Sequence, residues 1–528
     1  MPRPTVSPSP LAGEGVGRGG SPERAGIGPQ ARLQANRDAP CSLAKCSSDF
    51  SPTTAPARYH RVGLKSDLRP LAISAASPSP LEGLGRGGNT CPPRRTSIAP
   101  QAGLQAHARA PCSPVVLRLL GICLSSLLLA TPAHADDASP WTFNSRAQGL
   151  LSATHIERQD NSLLNPGNTI AHIPSERYDL ELRPDLEWKR PGLSLALKPR
   201  FGLTHSPGSS DDDLWLNEGW LRWKPAQQWY LQAGREIWLW GPSMFWSPSN
   251  PFYLGTGKNL PQRELPGRDI ARVSWMPADN AALTLAGLFG NGHQREYEPP
   301  TRKLALLKLD LNNNEASGSL IASRREGEVW RFGAYGQWTV SDALLLYGDG
   351  SYGQNANLTQ VSPASNPLGW TIENNSQRSA TVLIGGGYTF ESGINLNLEA
   401  LHYGDGRDDV QAANVGEMAQ QLQAALASPL APYAAASLGA SIAPQRLQQR
   451  QNYLAVQLMD PTRERYSWNV RYSYNLDDHS SELVPLGTYD LNDRLQLWGN
   501  LSLRHGRNNA EYSQLIRYSA MLGLTWFA

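Results

Sequence analysis

Apolar and polar residues alternate in short runs from Trp141 to the C-terminus. Every even position from Tyr466 to Leu476 is apolar or aromatic, and every odd position from Ser467 to Asn475 is polar. The same alternation recurs from Leu180 to Trp188 and from Leu495 to Leu503. A period of two residues is that of a β-strand, whose successive side chains point to opposite faces. The pattern therefore predicts strands that each have one apolar face.

This alternation predicts eighteen strands, which are separated by residues typical of turns. Their expected first residues are Ser145, Tyr178, Leu193, Leu214, Gln227, Asp269, Ala281, Lys303, Ser317, Val329, Ala343, Ser379, Ile394, Asn452, Tyr466, Ser481, Arg494 and Tyr512.

The connections between these strands alternate in length. Short turns such as 190–192 and 340–342 alternate with long connections such as 157–176, 238–268 and 404–450. A soluble β-sandwich alternates too, but it has no reason to place its long loops at one end. Outer-membrane barrels combine short periplasmic turns, long extracellular loops and an even number of strands. We therefore expect an all-β fold, a transmembrane antiparallel β-barrel of about 18 strands with both termini on the periplasmic side.

Tryptophan spacing supports a membrane-spanning barrel. Trp330 and Trp338 are eight residues apart, as are Trp215 and Trp223, so each pair is expected on one side of its strand. On a tilted strand, this spacing places one indole ring near each membrane interface, where the apolar ring and the polar N–H both find suitable surroundings.

Composition divides the chain near residue 135. All five cysteines precede that point and all 16 tryptophans follow it. The first 135 residues hold 15 of the 48 basic and 6 of the 46 acidic side chains, so the remainder has 33 and 40, a net charge of −7. The basic excess of the whole chain is therefore no indication of nucleic-acid binding. The later part also lacks the thiols needed for disulfides or cysteine-based zinc sites.

The front of the chain has the composition of a segment without a hydrophobic core. Residues 1–114 repeat Pro-, Gly-, Ser- and Arg-rich stretches with little to bury, which indicates either a disordered arm or translation from upstream of the true start. Residues 115–135 combine an apolar run with Ala133-His134-Ala135, the pattern of a signal peptide and its cleavage site. This run is too short for a transmembrane helix. We expect the barrel to occupy residues 136–528.

Charged residues alternate with the apolar rows, so the predicted interior is charged and rich in arginine. Anionic solutes would be attracted by such a wall. Alternatively, mixed charges pair across strands and hold water. The candidate pore-lining or substrate-binding residues are Arg200, Arg222, Arg235, Trp240, Trp246, Arg272, Arg331, Arg471, Arg504 and Arg517.

The most distinctive segment is 235–269, which is rich in proline and aromatic residues. It is expected to fold into or across the mouth, where it either stacks on sugar rings or packs as a constriction on the inner wall. Its Gly-Arg, Trp-Gly and Asn-Pro-Phe elements, at Gly234, Trp240 and Asn250, resemble those of alginate-export and capsule-assembly barrels. This resemblance implies an eighteen-stranded barrel that handles acidic polysaccharide.

Three smaller features carry expectations of their own. Residues 415–427 predict a short amphipathic helix in the longest loop. Gly385 to Gly387 fall within a strand, where they permit a bend or close packing rather than hold a phosphate. The acidic residues 211–213 and 408–409 are expected in loops.

The sequence contains no motif that predicts catalysis. His402, His479 and His505 lack a neighbouring serine in a recognisable nucleophile context, and neither metal-binding loops nor a phosphate-binding loop are found. We therefore expect no enzyme, no cofactor and no metal, with a lipid-modifying enzyme as the third candidate.

Together these patterns predict a channel in the outer membrane of a Gram-negative bacterium, for passive passage of small, anionic or saccharide solutes. The alternative is export or surface attachment of an acidic polysaccharide. The expected partners are outer-membrane lipid and lipopolysaccharide, the barrel-assembly machinery, and small solutes or polysaccharide, with no nucleic acid. The chain ends in Trp526, Phe527 and Ala528, which resembles the aromatic C-terminal assembly signal of such barrels.

Overall fold

A computed structural model describes residues 141–258, 262, 264–290, 302–354, 359–374, 377–442, 448–460 and 465–528. The predicted low-complexity segment 1–114 and the predicted signal peptide 115–135 lie outside the described residues.

The described residues form strands, one 3₁₀ turn and two α-helices. The strands are β1 (Thr142–Arg158), β2 (Glu176–Arg190), β3 (Leu193–Ser206), β4 (Ser209–Ala226), β5 (Trp229–Glu236), β6 (Arg268–Ala278), β7 (Ala281–Gly290), β8 (Leu304–Asn312), β9 (Ala316–Arg325), β10 (Trp330–Thr339), β11 (Leu344–Gln354), β12 (Thr359–Pro363), β13 (Trp370–Asn374), β14 (Arg378–Thr389), β15 (Asn395–Tyr403), β16 (Asn452–Asp460), β17 (Tyr466–Asn475), β18 (Ser481–Asn492), β19 (Leu495–His505) and β20 (Ile516–Phe527). The helices are α1 (Asp409–Ala425) and α2 (Ala431–Ile442), and a 3₁₀ turn covers Pro166–Asn168.

Eighteen of these strands form one closed antiparallel sheet, and β12 and β13 form a separate hairpin. Each barrel strand pairs with the next along the chain, and β20 pairs with β1, where Ala153 lies opposite Leu522. The predicted fold class and strand number are thus confirmed, and every predicted first residue lies within five residues of the observed one. The turns 191–192, 227–228 and 279–280 have two residues each, at the end that carries both termini of the barrel.

The barrel has its apolar side chains outside and its polar side chains inside. Large apolar residues such as Leu320, Ile384 and Leu522 are exposed on the outer rows, the last two at 67%. Charged residues such as Lys308 and Glu399 are buried on the inner rows. This arrangement is the reverse of a soluble protein and suits a barrel whose outer face contacts hydrocarbon.

Strand β4 departs from the simple alternation. Lys198 pairs with Glu218 but Pro199 pairs with Leu216, so one extra residue is inserted and the row that faces outward changes. Trp223 is half exposed, whereas Trp215 lies opposite Arg200, so the prediction that these tryptophans share one side is wrong. Residues 211–213 belong to β4, which corrects their predicted placement in a loop.

Loops at the other end form a hydrophobic cluster, which we call the loop cluster. It joins Ile170 of the β1–β2 loop, Trp370 of β13, Met418 of α1, Leu438 of α2 and Leu515 of the β19–β20 loop. The β1–β2 and β19–β20 loops leave the barrel on neighbouring strands, whereas the segments after β11 and β15 leave it further round the sheet, so the four meet beyond the strand ends to share one core. Neither described helix is long and apolar enough to cross a bilayer.

The helix predicted in the longest loop is present, but it begins earlier than predicted. The segment predicted as 415–427 forms the later part of α1, which begins where Asp408 accepts a hydrogen bond from the backbone N–H of Gln411. Helix α2 and the β12–β13 hairpin were not predicted, and they pack against α1.

Candidate functional site

The loop between β5 and β6, which we call the crossing loop, spans the barrel interior with its described residues 237–258, 262 and 264–267. Its Ser243 and Trp246 reach β15 and β16, where Ser243 Oγ lies 2.9 Å from Glu399 and the Trp246 ring lies 6.1 Å from the ring of Tyr453. Strand β16 is eight barrel strands from β6. The loop therefore extends from one wall almost to the opposite wall and back.

Glu399 on β15 is the first anchor of the crossing loop. Its carboxylate accepts hydrogen bonds from Ser243 Oγ at 2.9 Å, from the backbone N–H of Met244 at 2.5 Å and from that of Phe245 at 3.2 Å. Tyr347 on β11 donates a fourth at 2.8 Å. Hydrogen bonds to a buried charged acceptor are among the stronger ones, so this point of the loop is firmly held.

Asp349 and Arg331 form the second anchor. Asp349 on β11 accepts from Ser247 Oγ at 2.9 Å and from the backbone N–H of Ser249 at 2.6 Å. Arg331 on β10 donates to the carbonyl oxygen of Pro248 at 2.6 Å. The inner wall thus supplies both an anion and a cation to backbone groups that would otherwise be buried without partners.

The returning end of the loop is held by a buried ion pair. Arg200 on β3 binds Glu264 through two nitrogens at 2.7 and 2.6 Å, and Asp185 lies 2.9 Å from the same guanidinium. Burial opposes ionisation of Glu264, but Arg200 outweighs it and lowers the pKa of Glu264 to about 2. The carboxylate is therefore charged at any ordinary pH.

Aromatic side chains of the crossing loop pack on one another. Trp240 lies 5.1 Å from Trp238 and 5.9 Å from Phe252 between ring centroids, and Lys308 on β8 lies over its ring. Trp240 and Trp246 are only 8% and 3% exposed. Their ring faces are covered by protein, which favours the constriction interpretation of this loop over direct stacking on sugars.

Several predicted inner-wall arginines are paired with carboxylates. Arg272 lies 3.0 Å from Glu236. Arg471 and Arg504 share Glu482, at 3.2 and 3.1 Å. These pairs fit the alternative in which mixed charges compensate one another across strands.

Two predicted arginines are held by uncharged groups. Arg222 donates to Gln232 and lies 4.2 Å above the Trp220 ring. Arg331, besides its contact with the crossing loop, donates to Ser351. Neither makes an ion pair with a carboxylate among the described residues.

Two predicted arginines lie elsewhere than the inner wall. Arg235 shares the outer face of β5 with Leu231 and Ala233. It forms an ion pair there with Asp269, at 2.8 Å, near the strand ends. Arg517 is the extra residue where the pairing of β20 with β1 shifts register, and it is exposed. Simple alternation misplaced both because rows at strand ends and at bulges do not continue the pattern.

The histidines named in the sequence make local hydrogen bonds in the described chain. His402 lies 2.9 Å from Asn452, and His479 lies 3.0 Å from the hydroxyl of Tyr474. The described residues hold no group of three or more His, Cys, Asp or Glu that could bind a metal ion. Gly385 lies within β14 as predicted, where a Cβ atom would overlap the ring of Tyr347.

The fold resembles several solved structures. Acinetobacter baumannii OccAB1 is 10% identical with a TM-score of 0.46, over 73% of this chain and 96% of that chain. Pseudomonas aeruginosa OprD is 11% identical with a TM-score of 0.41, over 73% and 95%. No family model and no curated protein matches the sequence. At these values the likeness is one of fold, and the resemblance to alginate-export and capsule-assembly barrels stays a prediction.

Proposed function

We propose that this protein is a channel in the outer membrane of a Gram-negative bacterium, through which small hydrated solutes pass without an energy source. The observation that carries this proposal is a closed barrel of eighteen strands with apolar residues outside, charged residues inside, and one loop folded across the interior. Eighteen strands enclose a lumen wider than side chains alone fill, and the crossing loop narrows it.

The proposed partners follow from the two faces. Outer-membrane lipid surrounds the outer rows, lipopolysaccharide surrounds the long-loop end, and the barrel-assembly machinery inserts the chain. The inner wall carries carboxylates and arginines that hydrate readily, so water and small polar solutes are suited to the interior and apolar molecules are not.

The proposed solute preference is a modest one for anions. Most described inner-wall arginines form ion pairs, whereas the described hydrogen bonds of Arg222 and Arg331 are made to uncharged groups. Guanidinium groups without a directly paired carboxylate, in a confined space, raise the local concentration of anions.

The purified barrel, reconstituted in planar lipid bilayers, tests this proposal. We expect discrete conductance steps and, in a potassium chloride gradient, a reversal potential shifted toward that of chloride. Silence in the bilayer, combined with binding of an acidic polysaccharide to the reconstituted protein, would favour export or attachment instead. Migration of unboiled protein on a denaturing gel independently checks that the barrel is folded.

A further inference from the structure

Three inner-wall side chains form what we call the amide patch: Gln457 on β16, with Asn469 and Arg471 on β17. Gln457 lies directly opposite Arg471 in the strand pairing, and Asn469 is two residues further along the same inward row. Their exposed fractions are 0%, 7% and 8%. Three polar side chains are therefore concentrated and buried at one place on the wall.

The amide patch holds four polar atoms that have no hydrogen-bond partner. They are Oε1 and Nε2 of Gln457, Oδ1 of Asn469 and Nε of Arg471. A buried polar atom without a partner is costly, and native proteins keep such atoms few. Four of them on adjacent strands indicate a place where a partner molecule supplies the missing hydrogen bonds.

The patch lies next to the point where the crossing loop meets the wall. Gln457 is opposite Asn397 on β15, which is two residues from the anchor Glu399 on the side of the short turns. Two residues of a strand advance by about 7 Å. The patch therefore lies just on the short-turn side of the crossing loop's contact with the wall, beneath side chains that must move for a solute to reach it. Met459, opposite Asn469, has an unbranched and adaptable side chain that can move aside.

The chemistry of the unpartnered atoms selects the ligand. Arg471 is already paired with Glu482 at 3.2 Å, so its charge is compensated. The remaining groups are donors, Gln457 Nε2 and Arg471 Nε, together with acceptors, Gln457 Oε1 and Asn469 Oδ1. An anion offers acceptors alone and would face the two carboxamide oxygens unfavourably. A hydroxyl group both donates and accepts, and it satisfies both kinds.

We infer that the amide patch is a binding site for a neutral, polyhydroxylated solute, held by hydrogen bonds from its hydroxyl groups to Gln457, Asn469 and Arg471. The inference rests on the proposed channel function and adds a second preference to it. Carboxamides that bond hydroxyls discriminate strongly against analogues that lack them, because the buried partners are then left unpaired.

Ion conductance and solute binding are measured separately on the full chain in planar bilayers. D-glucose is the probe, and triethylene glycol dimethyl ether, which accepts hydrogen bonds without donating any, is the comparison solute. We expect glucose, and not the ether, to produce concentration-dependent current noise. In Gln457→Leu, the dissociation constant obtained from that noise should rise at least about fivefold, the order expected for loss of one or two uncharged hydrogen bonds.

Two further variants make the result decisive. Gln337→Leu makes the same change on β10, four barrel strands away, and should leave glucose binding unchanged. Asn469→Leu repeats the test with a second patch residue, in case Gln457→Leu does not fold. Conductance without any glucose effect, or unchanged glucose binding in folded patch variants, overturns the inference and leaves the channel standing. If the patch variants weaken the binding of acetate as much as that of glucose, the patch binds anions, and the inference of a neutral solute is overturned. Absence of conductance refutes the channel itself.

Discussion

Replacing Glu399 by glutamine should loosen the crossing loop while the barrel stays closed. The two oxygens of Glu399 now accept hydrogen bonds from the loop at Ser243, Met244 and Phe245, and from the wall at Tyr347. In Glu399→Gln one oxygen becomes an NH₂ group. The hydroxyl groups can rotate to accept from it, but a backbone N–H cannot. Even when the NH₂ replaces Oε2, the N–H of Phe245 faces a second donor and keeps only its longer contact to Oε1, at 3.4 Å.

The size of the effect follows from the hydrogen bonds affected. Each hydrogen bond to a charged acceptor contributes roughly 1.5–3 kcal/mol, and leaving a buried donor unpaired costs about 1–3 kcal/mol. Loss of the charge and mispairing of one N–H together weaken loop docking by about 3 kcal/mol, or roughly 100-fold in the ratio of docked to released loop. Asp349 and Glu264 still hold the other two attachment points, so release should be partial and reversible.

Single-channel recording tests this prediction. We expect Glu399→Gln to show a larger mean conductance and added current noise as the loop leaves and returns. Glu482→Gln is the matched control for the added current noise, because it changes another inner-wall carboxylate whose described contacts are with strands rather than with the loop. A Glu399→Gln channel with the conductance and noise of the original protein would refute the idea that this carboxylate holds the loop.

Three further results are expected. Glu482→Gln should shift the reversal potential in a salt gradient toward that of chloride, because two arginines lose their shared counter-charge; an unchanged potential would mean that these arginines do not face the ion path. Because the attraction of Arg200 outweighs burial, the pKa of Glu264 in the folded protein is about 2 instead of 4.5. The ion pair therefore adds about 3 kcal/mol to the free energy of unfolding well above pH 4.5. This contribution is lost as pH falls toward 2. Acid unfolding followed by tryptophan fluorescence should therefore become less steep between pH 4.5 and 2 in Glu264→Gln, and identical profiles would contradict the pairing. Gly385→Ala should destabilise the barrel by about 1–3 kcal/mol by overlap with a buried tyrosine ring, whereas Gly487→Ala, where a Cβ meets nothing, should change the urea midpoint little.

Strand positions were predictable because barrel strands obey a local rule. Each must alternate between lipid and lumen, so the period of two survives in the sequence even where no single residue is diagnostic. The prediction failed where the rule is interrupted. The bulge in β4 moved Trp215 to the inner row, and the one in β20 moved Arg517 off it, because an inserted residue leaves no mark in composition.

The candidate site was predictable as a region but not as a set of contacts. The prolines and aromatic residues of 237–267 identified a rigid loop, since such residues are unsuited to a solvated one. Which wall residues hold it depends on side chains more than 100 positions away, such as Glu399 for Ser243. Likewise, the side chain of Gln457 lacks hydrogen-bond partners because the neighbouring strands place none within reach, which the local sequence does not reveal. Helix α2 escaped prediction because its Ala-rich sequence lacks a polar face.

The seam between β1 and β20 makes the barrel resistant to stepwise unfolding. The backbone of Ala147 exchanges hydrogen bonds with that of Ala528, which brings the last residue against the first strand. An open sheet can fray strand by strand from its outermost member, but a ring offers no such starting point. Any rupture must break two ladders at once in surroundings that provide no replacement bonds. Such a protein should outlast long exposure to harsh detergent and lose its structure abruptly rather than by degrees.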